Sequence, residues 1–140
     1  MMTPARTSRR EAPSLSLSLA RNVYAPSLAR AAVLGFTEDS DYTPARASTL
    51  ALLVSELVSN AVLHSEAAPE SDILLSAALL AGGAIRIEVT DRGDGFTAVA
   101  RDPAQEGGYG LYLVEKEASN WGIERRDGTC VWFEMGARAE

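Results

Sequence analysis

The segment that most constrains this chain runs from Thr43 to His64, TPARASTLALLVSELVSNAVLH, and its periodicity is helical. Thr43 offers a side-chain oxygen as a cap, and Pro44 is preset for the first helical turn. Leu50, Leu53, Val54, Leu57, Val58, Ala61 and Val62 then recur at i, i+3, i+4 and i+7, which predicts one long helix with a wide core-facing stripe. Along the margin of that stripe stand Glu56, Asn60 and the only histidine, His64, at successive i+4 steps. At 100° per residue, Glu56 and Asn60 fall about 40° apart.

The other elements follow from alternation and turn chemistry. Ser14 to Ala20 sets Leu15, Leu17 and Leu19 against serines, the pattern of a half-buried strand whose serines face out. Pro26 to Leu34 reads as a short helix, followed by a polar connection from Gly35 to Tyr42. Asp72 to Leu80 and Ala84 to Thr90 read as a hairpin around Gly82-Gly83. Leu111, Val114 and Ala118 imply a helix opened by a glycine. Trp121 to Arg125 and Thr129 to Met135 read as a second hairpin across Asp127-Gly128. Strand, helix, helix, two strands, helix, two strands predicts an α+β protein, an α/β sandwich in which helices cover one face of a mixed, mostly antiparallel sheet.

At 140 residues the chain is sized for one domain, taken as residues 14–140 behind a disordered tail of residues 1–13 rich in Pro, Ser, Thr and Arg. A formal net charge of -6 disfavours nucleic acid and anionic membrane surfaces as partners. Cys130 is the only cysteine, so neither an intrachain disulfide nor a cysteine metal cluster is available, which fits a reducing cytoplasm. The start, MMTPARTSRREAP, makes a poor signal peptide, and no stretch is expected to reach the roughly 20 apolar residues of a membrane span.

Three pieces carry chemistry: Glu56-x3-Asn60-x3-His64 on a helix, Asp91-x-Gly93-x-Gly95 at a strand end, and Gly108-x-Gly110-Leu111 opening a helix. A carboxamide beside a carboxylate suits Mg²⁺, which wants hard oxygen ligands and keeps several waters. An aspartate past a strand accepts from an exocyclic amine, and the glycines after it let the backbone approach a flat base. Backbone N–H groups at a helix start favour phosphates. Each piece alone is weak and reads more readily as a solvated face, a turn or a helix start needing flexible backbone. His64, inside the apolar arc, reads as a packed histidine. Cys130, Trp121 and Trp132 read as core or sheet-face residues.

Taken in order, SELVSNAVLH, DRGDG, GGYGL and DGTCVWF resemble the asparagine box, the two glycine boxes and the final threonine of the Bergerat-type ATPases. That superfamily, also called GHKL, includes type II topoisomerases, a heat-shock chaperone, mismatch-repair ATPases, histidine kinases and anti-sigma serine kinases. The resemblance covers about Ser14 to Met135. It implies that Glu56 polarises the attacking nucleophile, Asn60 holds Mg²⁺ and Asp91 binds the adenine amine. Gly93 and Gly95 would line the base, Gly108, Tyr109, Gly110 and Leu111 would lie along the phosphates, and Thr129 would back the adenine-bound water. Thr97 to Glu106 would form a short lid, as in the anti-sigma kinases and small actinobacterial ATP-binding proteins. Tyr109, where relatives often carry a basic or small residue, departs from the pattern. Arg101 has no clear counterpart, and Arg30 matches an Ala-Arg pair common in the small relatives.

The length of the chain and the place of its one histidine point away from relatives that need further domains or a phosphoacceptor helix. The expectation is therefore a cytoplasmic, ATP- and Mg²⁺-dependent anti-sigma factor. It would phosphorylate a serine or threonine of an anti-anti-sigma (STAS-type) antagonist and sequester a sigma factor, and the resemblance also implies a homodimer. Two alternatives stand beside it: a non-catalytic, nucleotide-gated binding module, and the detached catalytic domain of a two-component histidine kinase.

Overall fold

Alternation along the strands sorts side chains between a core face and an outer face, and the computed structural model shows which residues take each. It describes residues 13–64, 71–91, 109–125 and 128–138. Within these the order is β1 (Ser14–Leu19), α1 (Ala25–Phe36), α2 (Pro44–His64), β2 (Ile73–Leu79), β3 (Ile85–Asp91), α3 (Tyr109–Glu117), β4 (Asn120–Arg125) and β5 (Thr129–Met135). The strands form one sheet in the order β1-β2-β3-β5-β4. The α+β architecture is the one expected, but each described pairing is antiparallel, so the sheet is less mixed than its sequence suggests. The expected tail lies outside the described residues, apart from Pro13.

Register aligns the core-facing side chains in rows across the sheet. Leu15, Ala77, Ile87, Phe133 and Trp121 make one row, and Leu17, Leu75, Val89, Val131 and Ile123 make the next. Both are apolar from edge to edge. The following row holds Leu19, Ile73, Asp91, Thr129 and Arg125, so the core face turns polar at one end of the central strands.

The stripe of α2 lies in this core. Leu50, Leu53, Val54 and Val58 are fully buried, each contributing about 1.5–3 kcal/mol in apolar transfer. Residues Pro44–Leu63 have a mean hydropathy of 1.2, long and apolar enough by length and composition to cross a membrane, contrary to the expectation that no segment is. With 56% of that window buried inside the fold, the helix is accounted for as the core helix of the sandwich.

The cap of α2 is the predicted one: Thr43 Oγ1 accepts from the N–H of Arg46 at 3.1 Å. Helix α1 runs past its expected end at Leu34 because Thr37 closes it. The Thr37 N–H donates to Val33 and Leu34 carbonyls, and its hydroxyl donates to Leu34 O at 2.9 Å. Gly82 and Gly83 turn the β2–β3 hairpin with φ of 89° and 96°, a region that disfavours side chains.

The outer face is stitched by charge. Arg86 pairs with Glu88 and Glu134, each at 2.9 Å, and its guanidinium lies 4.1 Å from the centroid of Trp132. Under that ring stands Gly122, where a Cβ would come within 2.9 Å of the indole nitrogen, so the indole packs where only glycine leaves room.

Candidate nucleotide site

The polar row begins with Asp91, the last residue of β3. Its position keeps it on the core face, and its side chain is 2% exposed. A carboxylate there needs a partner, and Arg21 supplies one from the connection after β1. Arg21 Nη2 donates to Asp91 Oδ1 at 2.7 Å. The same guanidinium donates to Ala61 O at 2.7 Å, Ser71 O at 3.3 Å and Ser71 Oγ at 3.2 Å. It therefore joins three walls of the site: α2 just past Asn60, the approach to β2, and the end of β3.

Thr129 faces Asp91 across the β3–β5 ladder and is 2% exposed. Its hydroxyl oxygen accepts from Arg125 Nη1 at 2.6 Å, which leaves the hydroxyl hydrogen available as a donor. On α2, Asn60 is buried at 8% exposure, while Glu56, one turn earlier, is half-buried. Since α2 packs on β3 and Arg21 ties Ala61 to Asp91, the turn that carries Asn60 is held beside the polar row.

The remaining predicted residues are placed less fully. Tyr109 and Gly110 are the first residues of α3, and Leu111 follows, half-buried against the core. Gly93, Gly95, Gly108 and the predicted lid with Arg101 lie outside the described residues, and His64 is placed only as the last residue of α2. Arg30 is exposed on α1, away from these contacts.

Sequence reasoning missed Arg21 and Arg125. The one trace of Arg21 in the sequence is a cation directly after an apolar strand. Its partner stands 70 residues away and comes into reach only through the β1–β2–β3 order.

The described set can do two things. A buried acceptor beside a hydroxyl donor suits one edge of a purine. A carboxamide and a carboxylate a turn apart suit a hydrated hard cation, because Mg²⁺ is commonly held by one or two protein oxygens together with phosphates and water. Among the described residues no group of three or more His, Cys, Asp or Glu side chains could hold an ion by itself.

The family model for the histidine kinase-like ATPase domain matches residues 19–135. The chain belongs to the histidine kinase-like ATPase family. Family membership makes this an ATP-binding domain, and the polar row and the α2 edge are the described surfaces whose chemistry fits ATP. No curated protein matches the chain. Among solved structures, the RsbU and RsbW domains of Rv1364c from Mycobacterium tuberculosis are similar, with a TM-score of 0.70 and 25% identity over 89% of this chain and 32% of that one. The histidine kinase domain of the blue-light activated histidine kinase EL346 from Erythrobacter litoralis is similar with a TM-score of 0.52 and 26% identity, over 65% of this chain and 44% of that one. Another structure of that kinase, at 20% identity over 86% of this chain and 42% of that one, has a TM-score of 0.58 and shares the fold. The chain thus spans less than half the length of each of these proteins.

Proposed function

We propose that this protein is an ATP-dependent serine/threonine kinase of the anti-sigma type, which phosphorylates an anti-anti-sigma antagonist of the STAS type and sequesters a sigma factor in the cytoplasm. The observation that carries the nucleotide half of this reading is Asp91. It is a buried carboxylate that ends β3 opposite a hydroxyl, in the row where the core face turns polar. The kinase half draws support from the resemblance of the four boxes to the anti-sigma kinases. It also draws support from the likeness to the Rv1364c domains, which has a higher TM-score and covers more of this chain than the likenesses to the light-activated kinase.

In this reading Asp91 accepts from the adenine 6-amino group, and Thr129 donates toward the water beside it. Gly93 and Gly95 line the base, while Gly108, Tyr109, Gly110 and Leu111 meet the phosphates chiefly through backbone groups. Asn60 would hold Mg²⁺ through its carboxamide oxygen, and the ion would supply charge that lowers the repulsion between phosphates and an incoming nucleophile. Glu56 accepts the hydrogen bond of the acceptor serine or threonine hydroxyl, orients its oxygen in line with the γ-phosphorus, and takes its proton as the new P–O bond forms and the bond from the γ-phosphorus to the β–γ bridging oxygen breaks, releasing ADP.

The deciding experiment is single-turnover transfer of labelled γ-phosphate from ATP to candidate antagonists encoded in the same genome. Acid-stable phosphoserine or phosphothreonine is the expected product. Acid-labile phosphohistidine on a separate chain would replace this reading with the detached two-component kinase. ATP binding with no transfer would replace it with the nucleotide-gated binding module.

A further inference from the structure

We infer that Arg21 is a positioning residue for Asp91, and that through it the protein sets its preference for a 6-amino over a 6-oxo purine. The inference rests on the nucleotide reading of the polar row. Its ground is the geometry of one guanidinium. Arg21 is 7% exposed at its side chain, and Nε, Nη1 and Nη2 all donate to named oxygens. Two of these partners are backbone carbonyls, of Ala61 and Ser71, so the fork is fixed in direction before it reaches the carboxylate. The carboxylate is then fixed in turn, because the 2.7 Å contact to Oδ1 sets both its rotation and its character as an acceptor.

A purely structural stitch would not require this arrangement, since buried ion pairs are often replaceable by packed apolar groups at little cost in stability. What an apolar replacement cannot do is hold a carboxylate as an oriented acceptor. Adenine presents an N–H donor at position 6, whereas hypoxanthine and guanine present a carbonyl there. A carboxylate oxygen held in one orientation accepts from the first and repels the second. Without the guanidinium, the carboxylate loses the contact that aims its oxygens, and its acceptor is no longer fixed toward position 6 of the ring.

The test is calorimetric titration of the full chain with Mg-ATP and Mg-ITP, which differ in the purine ring only at position 6 and its adjoining nitrogen. Wild type is expected to prefer ATP, and Arg21→Met to lower the ATP-to-ITP affinity ratio by about tenfold or more. Arg21→Lys keeps the charge but not the fork, so it should restore part of that ratio. If Arg21→Met fails to fold by circular dichroism, Arg21→Lys alone decides. In that case an intermediate ratio supports the inference, and a wild-type ratio overturns it. A wild type that prefers ATP, with an Arg21→Met protein that weakens both nucleotides equally, overturns the inference and leaves the nucleotide reading intact. A wild type that binds neither nucleotide overturns both.

Discussion

Asp91 and Thr129 face each other directly across the β3–β5 ladder, at 1% and 2% exposure, in the row where the core face changes from apolar to polar. An acceptor and a hydroxyl so placed can serve one ligand together, and in the proposed reading a purine edge and its water would bridge the gap between the adjacent strands. Arginines hold the pair from either side, Arg21 on Asp91 and Arg125 on Thr129. Neither site residue is therefore a loose surface group.

If Asp91 and Thr129 serve one base, as proposed, substitutions at the two positions are non-additive. Asp91→Asn and Thr129→Val each keep shape while removing an acceptor charge or a hydroxyl, and each should weaken ATP binding by about tenfold, the worth of one hydrogen bond at roughly 1.4 kcal/mol. The double variant should fall well short of the product of the two, with a coupling of about 0.5–3 kcal/mol. Titration calorimetry on the four proteins checks this. Asp91→Ala is the wrong variant for the purpose, since stranding the buried Arg21 charge costs about 3–5 kcal/mol of stability.

Asn60→Ala should separate metal from base. The carboxamide lies on α2 and Asp91, the proposed base acceptor, on β3, so removing the first leaves Asp91 and Thr129 in place. We expect Mg²⁺ to strengthen ATP binding in wild type and to do so less in Asn60→Ala, with metal-free ATP affinity unchanged. Equal strengthening in both proteins would remove Asn60 from the metal site.

How much of this was legible beforehand depends on the range of the contact. Helical spacing placed Leu50, Leu53, Val54, Leu57, Val58 and Ala61 in the core with Val62 packed against it, and alternation found the strands, because both patterns are local. Asp91 was legible as a strand end followed by glycines. Its partner was not, because Arg21 reaches it only after β1, β2 and β3 have been set side by side. The polar row likewise needs β5 to lie between β3 and β4, an order no periodicity records. Trp132 read ambiguously as core or sheet face. It lies on the outer face beside its register partner Glu88, half-buried under the Arg86 cation without a covering helix.

Tyr42 supplies a prediction on stability alone. Its hydroxyl accepts from Ile85 N–H at 3.2 Å and donates to Met135 O, bridging β3 and β5 at the end of the sheet far from Asp91. Burial pushes its ionisation up, and the Ile85 N–H and Arg46 offset this only in part. The unfolded chain therefore releases this proton first as pH rises. The corresponding stability is complete below pH about 10 and is lost as pH climbs from there through the raised folded value. Tyr42→Phe should cost about 1–3 kcal/mol at pH 8, and the gap from wild type should shrink above pH about 10. Urea midpoints across that range test it, with exposed Tyr24→Phe as a control that should shift nothing.

Glu56 gives the prediction that bears most on function. It stands one helical turn before Asn60, half-buried at the edge of the stripe, and in the kinase reading it touches the acceptor hydroxyl and not ground-state ATP. Glu56→Gln preserves shape and most hydrogen bonding while removing the basic oxygen. ATP affinity should hold within about twofold while phosphotransfer falls by about 10²–10⁴. Regulation should change in a distinctive direction. The variant would still capture its sigma factor in the presence of ATP, yet it could not inactivate the antagonist, which would go on releasing sigma once mixed in. A binding defect would produce the reverse, with sigma never captured at all. Single-turnover transfer measured beside nucleotide affinity separates the two outcomes. A Glu56→Gln protein that transfers phosphate as fast as wild type would remove Glu56 from the reaction, because no second carboxylate follows the helical face toward Asn60.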